Sequence, residues 1–201
     1  MSVREYITAL TDLGHPVADY LRPGIAKSTI REFEQDSKLR LPDAIVDLFL
    51  LHDGTDFSGD TLLGHGQFID GFHLMTFSEA LEAMEIVDEA IEDSPFVADE
   101  PHAFDGRRVL PFLGDGCGDH VVVDIASESD RFGWIGTFLH AGPSRPDEFV
   151  SFDSFVGAHL AAVQSGVYQF SDMGFLDASF AELKAVLKRH RQNSGEQEDR
   201  G

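Results

Sequence analysis

The feature that most constrains the fold is the stretch from Val109 to Asp124, in which two apolar runs flank a turn rich in glycine and aspartate. Strands favour β-branched and aromatic residues, and the glycines between the runs permit the positive φ angles of a tight turn. The stretch therefore predicts a β-hairpin. A third run of similar composition, Phe132–Leu139, is predicted to pair with the hairpin and make a meander. Gly133 and Gly136 within this run indicate bulges or a bend.

Upstream of the hairpin, the segment from Ala26 to Gly54 predicts two helices. Thr29 followed by Glu32 matches a capping box, which indicates that the first helix starts there. Pro42 suits the first turn of the second helix, because its missing N–H would be unpaired at that position anyway. Gly54 can adopt the left-handed conformation that closes a helix, so the second helix is predicted to end there.

Helices are also predicted at both ends of the chain. An apolar stripe closed by Gly14 indicates the first, and apolar residues at helical spacing over 180–187 indicate the last. The other predicted elements are a strand over Phe68–Met75, a helix capped by Thr76 and Glu79, a loop over Leu139–Phe149 and a helix over Phe152–Val163. The polar residues 189–201 predict a disordered tail. Together these elements predict one α+β domain over residues 1–188, with a central, mainly antiparallel sheet and helices at both ends of the chain.

Several short motifs between Thr29 and Leu160 stand in an order and spacing that identify a family. They are I-x-x-F-E at Ile30–Glu34, Leu41-Pro42, Asp53-Gly54, Leu110-Pro-Phe112, Gly118-Asp119, a strand ending in Asp124, and Phe152-Asp-Ser-Phe155. In these residues the chain resembles the SUKH superfamily, which contains a fungal regulator of cell-wall assembly and many bacterial toxin-immunity proteins. The resemblance implies a SUKH-like core over about residues 29–160 that binds other proteins. A polar segment, Glu92–Asp105, and a glycine-rich stretch, Leu62–Gly71, depart from the family pattern.

Length and composition narrow the class of protein. A chain of 201 residues favours one domain. The single cysteine, Cys117, excludes an internal disulfide framework and a multi-cysteine zinc site, and it fits a reducing compartment. No apolar run approaches the roughly 20 residues that a membrane span needs. The N-terminal segment also lacks the apolar region of a signal peptide. We therefore expect a cytoplasmic protein.

The charge balance indicates what kind of partner the chain favours. It has 15 Lys and Arg against 36 Asp and Glu, a formal net charge of −21. Nucleic acids and anionic membranes are disfavoured, because both bind cationic patches. A basic protein partner is favoured, since the field of the chain would raise its rate of association. The alternative is that the acidity provides solubility or reflects the proteome of the source.

Candidate catalytic and metal-binding groups concentrate at the hairpin turn. Cys117 and His120 are a candidate nucleophile and base, but a tight turn rarely aims the imidazole at the thiol, and no third group orients them. Carboxylates in the turn could hold a hard cation together with His120, namely Asp115, Asp119 and Asp124. Turn aspartates more often bond their own backbone. Nucleotide-binding motifs and a nucleophile elbow are absent from the sequence. We therefore predict no catalytic, cofactor or metal site.

The favoured hypothesis is a non-enzymatic, protein-binding domain. In the mechanism that the resemblance implies, it is an immunity protein that holds a cognate toxin domain and blocks the toxin's active site. If the toxin is a nuclease, an acidic surface can stand in for substrate phosphates. The residues predicted to bind lie at predicted turns near the hairpin: Asp53, Asp56, Asp60, Asp115 and Asp119. Two alternatives stay open, a regulatory scaffold of the cell-wall-regulator type that binds an endogenous protein, and a metal-dependent or thiol hydrolase. The oligomeric state is not indicated.

Overall fold

The computed structural model describes residues 3–56, 63–69, 71–92, 103–104, 106–171 and 174–198. Over these residues the chain forms a single α+β domain with helices at both ends, which confirms the predicted fold class. The helices are α1 (Val3–Asp12), α2 (Val17–Tyr20), α3 (Lys27–Ser37), α4 (Asp43–Leu51), α5 (Phe77–Glu92), α6 (Phe152–Gln164) and α7 (Phe180–Glu198).

The strands form one large sheet and two small ones. They are β1 (Leu21–Pro23), β2 (His52–Thr55), β3 (Gln67–Ile69), β4 (Phe72–Leu74), β5 (Val109–Gly114), β6 (His120–Asp124), β7 (Ile135–Phe138), β8 (Arg145–Phe149), β9 (Tyr168–Phe170) and β10 (Leu176–Ala178). Strands β3 to β8 make a six-stranded antiparallel sheet in chain order, while β1 pairs with β2 and β9 with β10. Strands β5 and β6 are the predicted hairpin, and β7 pairs with β6 as the predicted meander requires.

Alternating side chains of β6 divide the apolar interior between the two faces of the large sheet. Val121 and Val123 belong to the main core, whereas Val122 packs with Val87 of α5 and Phe138 of β7. This alternation follows from the period of two in a strand. Helix α5 packs on β5, and α6 packs with α1 and α7. Helix α5 contributes to both clusters, through Phe77, Ala80 and Met84 to the main core and through Val87 to the smaller one.

Two capping boxes start helices α5 and α6. At α5 the Thr76 N–H donates to Glu79 Oε2 at 2.7 Å, and the Glu79 N–H donates to Thr76 Oγ1 at 3.1 Å, as predicted. At α6 the Ser154 N–H donates to Ser151 Oγ at 3.1 Å, and the Ser151 N–H donates to Ser154 Oγ at 3.2 Å. Each box satisfies two backbone donors that have no partner within the helix, so the starting points of both helices are well determined.

Helix α3 begins two residues before its predicted capping box. Ala26 occupies the N-cap position without a side-chain bond, and the Thr29 N–H donates to the Ala26 carbonyl oxygen at 3.0 Å. Thr29 therefore lies inside the helix, and the predicted box with Glu32 is wrong. Pro42 is the N-cap residue of α4, one position before the predicted first turn.

Gly54 does not end helix α4, contrary to the prediction. The helix ends at Leu51 and the chain continues directly into β2, which contains Gly54. Gly54 has φ +82°, and a Cβ atom there would lie 2.6 Å from the backbone nitrogen of Thr76. The position requires glycine because β2 passes very close to the start of α5.

Two other segments differ from their predicted elements. Phe68–Met75, predicted as one strand, contains parts of β3 and β4 on either side of a turn at Gly71, whose φ is +77°. Leu139–Phe149, predicted as a loop, contains the edge strand β8. Pro146 is tolerated there because an edge strand leaves one side of its backbone unpaired. A Cβ atom at Gly136 would lie 2.4 Å from the Pro146 carbonyl oxygen, in the part of β7 where the register shifts, so the irregularity predicted for this strand is confirmed.

Helix α7 extends further than expected. It continues to Glu198, so residues 189–198 are helical where a disordered tail is predicted. The prediction rested on the lack of apolar residues, but Arg, Gln and Glu are good helix formers whether or not they pack against a core. In the part of the chain that the structure describes, no helix combines the length and apolar character needed to cross a membrane.

Candidate protein-binding surface

Three of the predicted binding residues come from the segment after helix α4. Asp53 lies in β2 rather than in a turn, and its Oδ1 accepts a hydrogen bond from the Phe77 N–H at 2.8 Å, where α5 begins. Asp56 follows β2, and its Oδ1 lies 3.4 Å from Arg22 Nη2. Asp60 lies outside the described residues. Asp53 and Asp56 therefore both have contacts that hold elements of the fold together.

The other two predicted binding residues shape the turn between β5 and β6. Asp115 Oδ1 accepts from the Cys117 N–H at 2.7 Å and from the Asp119 N–H at 3.0 Å. Asp119 Oδ1 accepts from the His140 N–H at 2.9 Å and so ties this turn to the one after β7. The structure thus brings Asp115 and Asp119 together in one turn. Their role in binding a partner stays a prediction.

The other side chains at the same turn that were candidates for catalysis or metal binding are Cys117, His120 and Asp124. Cys117 is exposed, while the His120 ring is half-buried and stacks on Phe138 with centroids 6.4 Å apart. Burial lowers the pKa of His120. Asp124 accepts from the Ala126 N–H at 2.9 Å at the end of β6. Among the residues described, no three His, Cys, Asp or Glu side chains are grouped so as to hold a metal ion.

Helix α5 presents a second acidic surface, separate from the aspartates at the turns. Its buried side contains Phe77, Ala80, Met84 and Val87, whereas its outward side carries exposed glutamates around Ile86, whose side chain is 65% exposed. We call this outward side the acidic ridge, made of Glu82, Glu85, Ile86, Glu89 and Glu92. These residues fall on one side of the helix because they are spaced by three, four and seven positions.

The acidic ridge is unfavourable for the helix that carries it. Glu85 and Glu89 are four residues apart, and like charges at this spacing destabilise a helix by about 0.2–0.5 kcal/mol per pair. Glu92 is the last residue of α5, where the helix dipole disfavours negative charge, and the last turn has no basic residue. A positive surface placed against the ridge would relieve both effects.

Ile86 is the part of this surface that the sequence analysis missed. In the sequence, the glutamates of α5 fit the ordinary solvated face of an amphipathic helix, and this interpretation does not single out Ile86. The signal in the sequence is the position of Ile86 immediately before Val87. Because each residue of an α-helix is rotated by about 100° from the one before it, Ile86 cannot point in the same direction as Val87, which is buried. A large apolar residue out of phase with the buried stripe has to face solvent or a partner. Ile86 is one of three large apolar side chains exposed in the described part of the chain, with Phe175 and Phe180.

Comparison with known proteins gives one finding. Residues 24–157 match the model of the SMI1 / KNR4 family (SUKH-1). The matched region runs from just before α3 into α6 and includes α5 and the whole six-stranded sheet. A search of curated proteins found no match to the chain.

Proposed function

Because the chain belongs to the SMI1 / KNR4 family (SUKH-1), whose model matches residues 24–157, we propose that it is an immunity protein that binds and neutralises a basic toxin domain. Family membership confirms the SUKH resemblance seen in the motifs and supports a non-catalytic binding role in general. That the partner is a toxin, and that a particular surface of the chain binds it, is what we propose beyond this general role.

The observation that carries the proposal is the acidic ridge. It combines the exposed side chain of Ile86 with four exposed glutamates on the same side of α5. Binding energy at protein interfaces concentrates in a few apolar anchors, while surrounding charges steer the encounter and select the partner. If the toxin is a nuclease, its active-site cleft is basic because it binds phosphates. The ridge would then occupy that cleft with carboxylates.

The turn aspartates are a weaker choice for the same role. Asp53, Asp115 and Asp119 each accept backbone hydrogen bonds with one carboxylate oxygen, and Asp56 faces Arg22. Part of their charge is therefore already balanced within the chain. The ridge glutamates Glu85 and Glu89 have no cationic side chain within ion-pair distance among the described residues.

The test is a pair of matched charge reversals. The tagged chain is used to capture its partner from a lysate of the source cells at low salt, and the partner is then expressed with and without the chain. We expect the partner to be basic and toxic alone, and wild type to restore growth. Glu85→Lys with Glu89→Lys should weaken binding by about 100-fold, or about 2.7 kcal/mol, flatten its salt dependence and abolish protection.

The control is Glu32→Lys with Asp36→Lys on α3, which reverses two exposed charges at the same spacing of four residues. It should bind and protect as wild type does. Normal binding by the ridge variant would contradict the ridge as the interface, and loss of binding in Asp56→Lys with Asp119→Lys would then favour the turn aspartates. Recovery of a non-toxic cellular regulator would overturn the immunity role in favour of the regulatory scaffold.

A further inference from the structure

A cleft of about 590 Å³ lies between helix α7 and the main-core face of the large sheet. It has the size of ordinary small-molecule sites, which range over about 300–1,000 Å³. Most of its wall is apolar and comes from strands, α6 and α7, namely Ile69, Phe72, Val121, Phe149, Phe155, Phe180, Leu183 and Leu187. The mouth includes Phe180, whose side chain is 74% exposed. A concave wall that is mostly apolar and includes an exposed aromatic side chain suits a ligand with an apolar body.

Four cationic side chains also line this cleft: Arg145, Lys184, Lys188 and Arg191. This concentration is unusual in a chain with a net charge of −21, which has 15 Lys and Arg in total. We call the site the cationic cleft. Lys184 and Lys188 are exposed and lie one helical turn apart on α7, so both ammonium groups can reach one ligand head. Among the described residues, neither has a carboxylate within ion-pair distance.

One carboxylate lines the cationic cleft, and it is already paired. Glu148 Oε1 lies 3.6 Å from Arg145 Nη1 and accepts a hydrogen bond from Arg191 Nη2, while Glu148 Oε2 accepts from the Thr137 hydroxyl. The Arg191 guanidinium also lies over the Phe149 ring, 4.8 Å from its centroid. Glu148 thus holds the two arginines in place, and the charge left over at the cleft is positive.

The inner end of the cationic cleft is polar but uncharged. His159 lines it and is buried, with Nδ1 2.8 Å from the Tyr168 hydroxyl. Burial, assisted by the charge of Arg191, lowers the pKa of His159 to about 3, so its ring is neutral at physiological pH. The positive charge of the cleft therefore comes from its rim and not from its inner end, which places the favourable position for an anionic group beside α7.

We propose that the cationic cleft binds an amphipathic anion, with its apolar body against the wall between the sheet and α7 and one carboxylate or phosphate head between Lys184 and Lys188. The residues that carry this site are on α7, β8 and the main-core face of the sheet. The acidic ridge is on α5, and none of its residues lines this cleft, so this site does not depend on the proposed toxin binding.

The test uses three twelve-carbon probes below their aggregation concentrations: dodecanoate, dodecyl phosphate and dodecyltrimethylammonium. Calorimetric titration should show saturable 1:1 binding of at least one anionic probe and no comparable binding of the cationic one. Lys184→Gln with Lys188→Gln should weaken anion binding by roughly tenfold or more. Whichever anionic probe binds more tightly identifies a carboxylate or a phosphate as the preferred head.

Two further variants make the result specific. The control, Lys27→Gln with Lys38→Gln, removes the other two lysines of the chain and should leave binding unchanged. Leu187→Trp should obstruct the cleft and abolish binding even though all four cations remain. Thermal melting checks that each variant is folded. Failure of both anionic probes to bind, equal binding of the cationic probe, or binding that survives both α7 variants would overturn the site.

Discussion

The acidic ridge on α5 and the cationic cleft beside α7 are built alike and carry opposite charge. Each exposes one large apolar residue, Ile86 at 65% and Phe180 at 74%, and each also carries an excess of charge of one sign. The ridge is convex and belongs to one helix, whereas the cleft is concave and needs a sheet and two helices. A convex charged surface suits a folded protein, and a concave cleft with a mostly apolar wall suits a small molecule. The net charge of −21 is a sum over the whole chain, and it does not reveal the local excess of positive charge at the cleft.

A carboxylate on α5 beside the ridge and a histidine in the cleft respond to protons in opposite ways. Burial raises the pKa of Asp88, at the side of α5, although Arg108 opposes the shift, whereas burial lowers the pKa of His159 in the cleft. Acidification therefore acts in opposite directions. Protonation of Asp88 is easier in the folded chain than in the unfolded one and favours folding, whereas protonation of His159 favours unfolding.

The largest predicted effect is the change of the free energy of unfolding with pH that His159 causes. Because His159 has a pKa of about 3 when folded and an ordinary value of 6.5 when unfolded, its contribution to stability is complete above pH 6.5 and declines below it. The decline is about 1.4 kcal/mol per pH unit until the folded pKa is reached. His159→Gln should remove this part of the slope when unfolding free energy is measured by denaturant titration from pH 7 to pH 4. His140→Gln, at an exposed histidine, should keep it. Equal slopes in wild type and His159→Gln would contradict the neutral buried ring.

A smaller effect separates the apolar centre of the ridge from its charges. Ile86→Ala should change the free energy of unfolding by less than about 0.5 kcal/mol, because the side chain is exposed. The same change should weaken binding of the basic partner by about tenfold, or about 1.4 kcal/mol, without altering the salt dependence. Calorimetry at two salt concentrations checks both. An unchanged affinity would mean that the ridge acts through charge alone.

The smallest effects distinguish two of the predicted binding residues. Asp53→Ala should lower the free energy of unfolding by about 1 kcal/mol, because it removes the acceptor for the Phe77 N–H at the start of α5. Asp56→Ala should cost less than about 1 kcal/mol, since its pair with Arg22 is exposed. Denaturant unfolding of the two variants side by side measures the difference. If Asp56→Ala is the more destabilising of the two, the hydrogen bond from the Phe77 N–H to Asp53 does not stabilise the start of α5 as predicted.

The predictions that succeeded depend on contacts within a few residues, although the equally local Thr29–Glu32 box was wrong. The Thr76–Glu79 capping box and the hairpin of β5 and β6 form as predicted, because capping and turn chemistry act between near neighbours. Sequence reasoning failed at Gly54, which local rules assign equally well to a helix end. Glycine is required at this position because the backbone of Thr76 lies very close to it. This contact exists only once β2 is packed against the start of α5.

The need for tertiary contacts also explains why the sequence could not choose among the candidate binding residues. Counting charges indicated a basic partner but could not tell which carboxylates are already occupied. Asp115 looked available in the sequence, yet it holds two backbone N–H groups of its own turn. The sequence does not single out Ile86, because the exposure of its side chain depends on which side of α5 packs against the rest of the fold.

By itself the sequence determined the fold class, the hairpin and meander at its centre, the family and the sign of the net charge. These depend on local periodicity, turn chemistry and composition, which act within a few residues or on the chain as a whole. Only the tertiary structure decided which charges share a surface. Arg145 on β8 and Lys188 on α7 line one cleft although they are far apart in the chain. Distances between remote segments are set by packing across the core, and electrostatic fields depend on those distances.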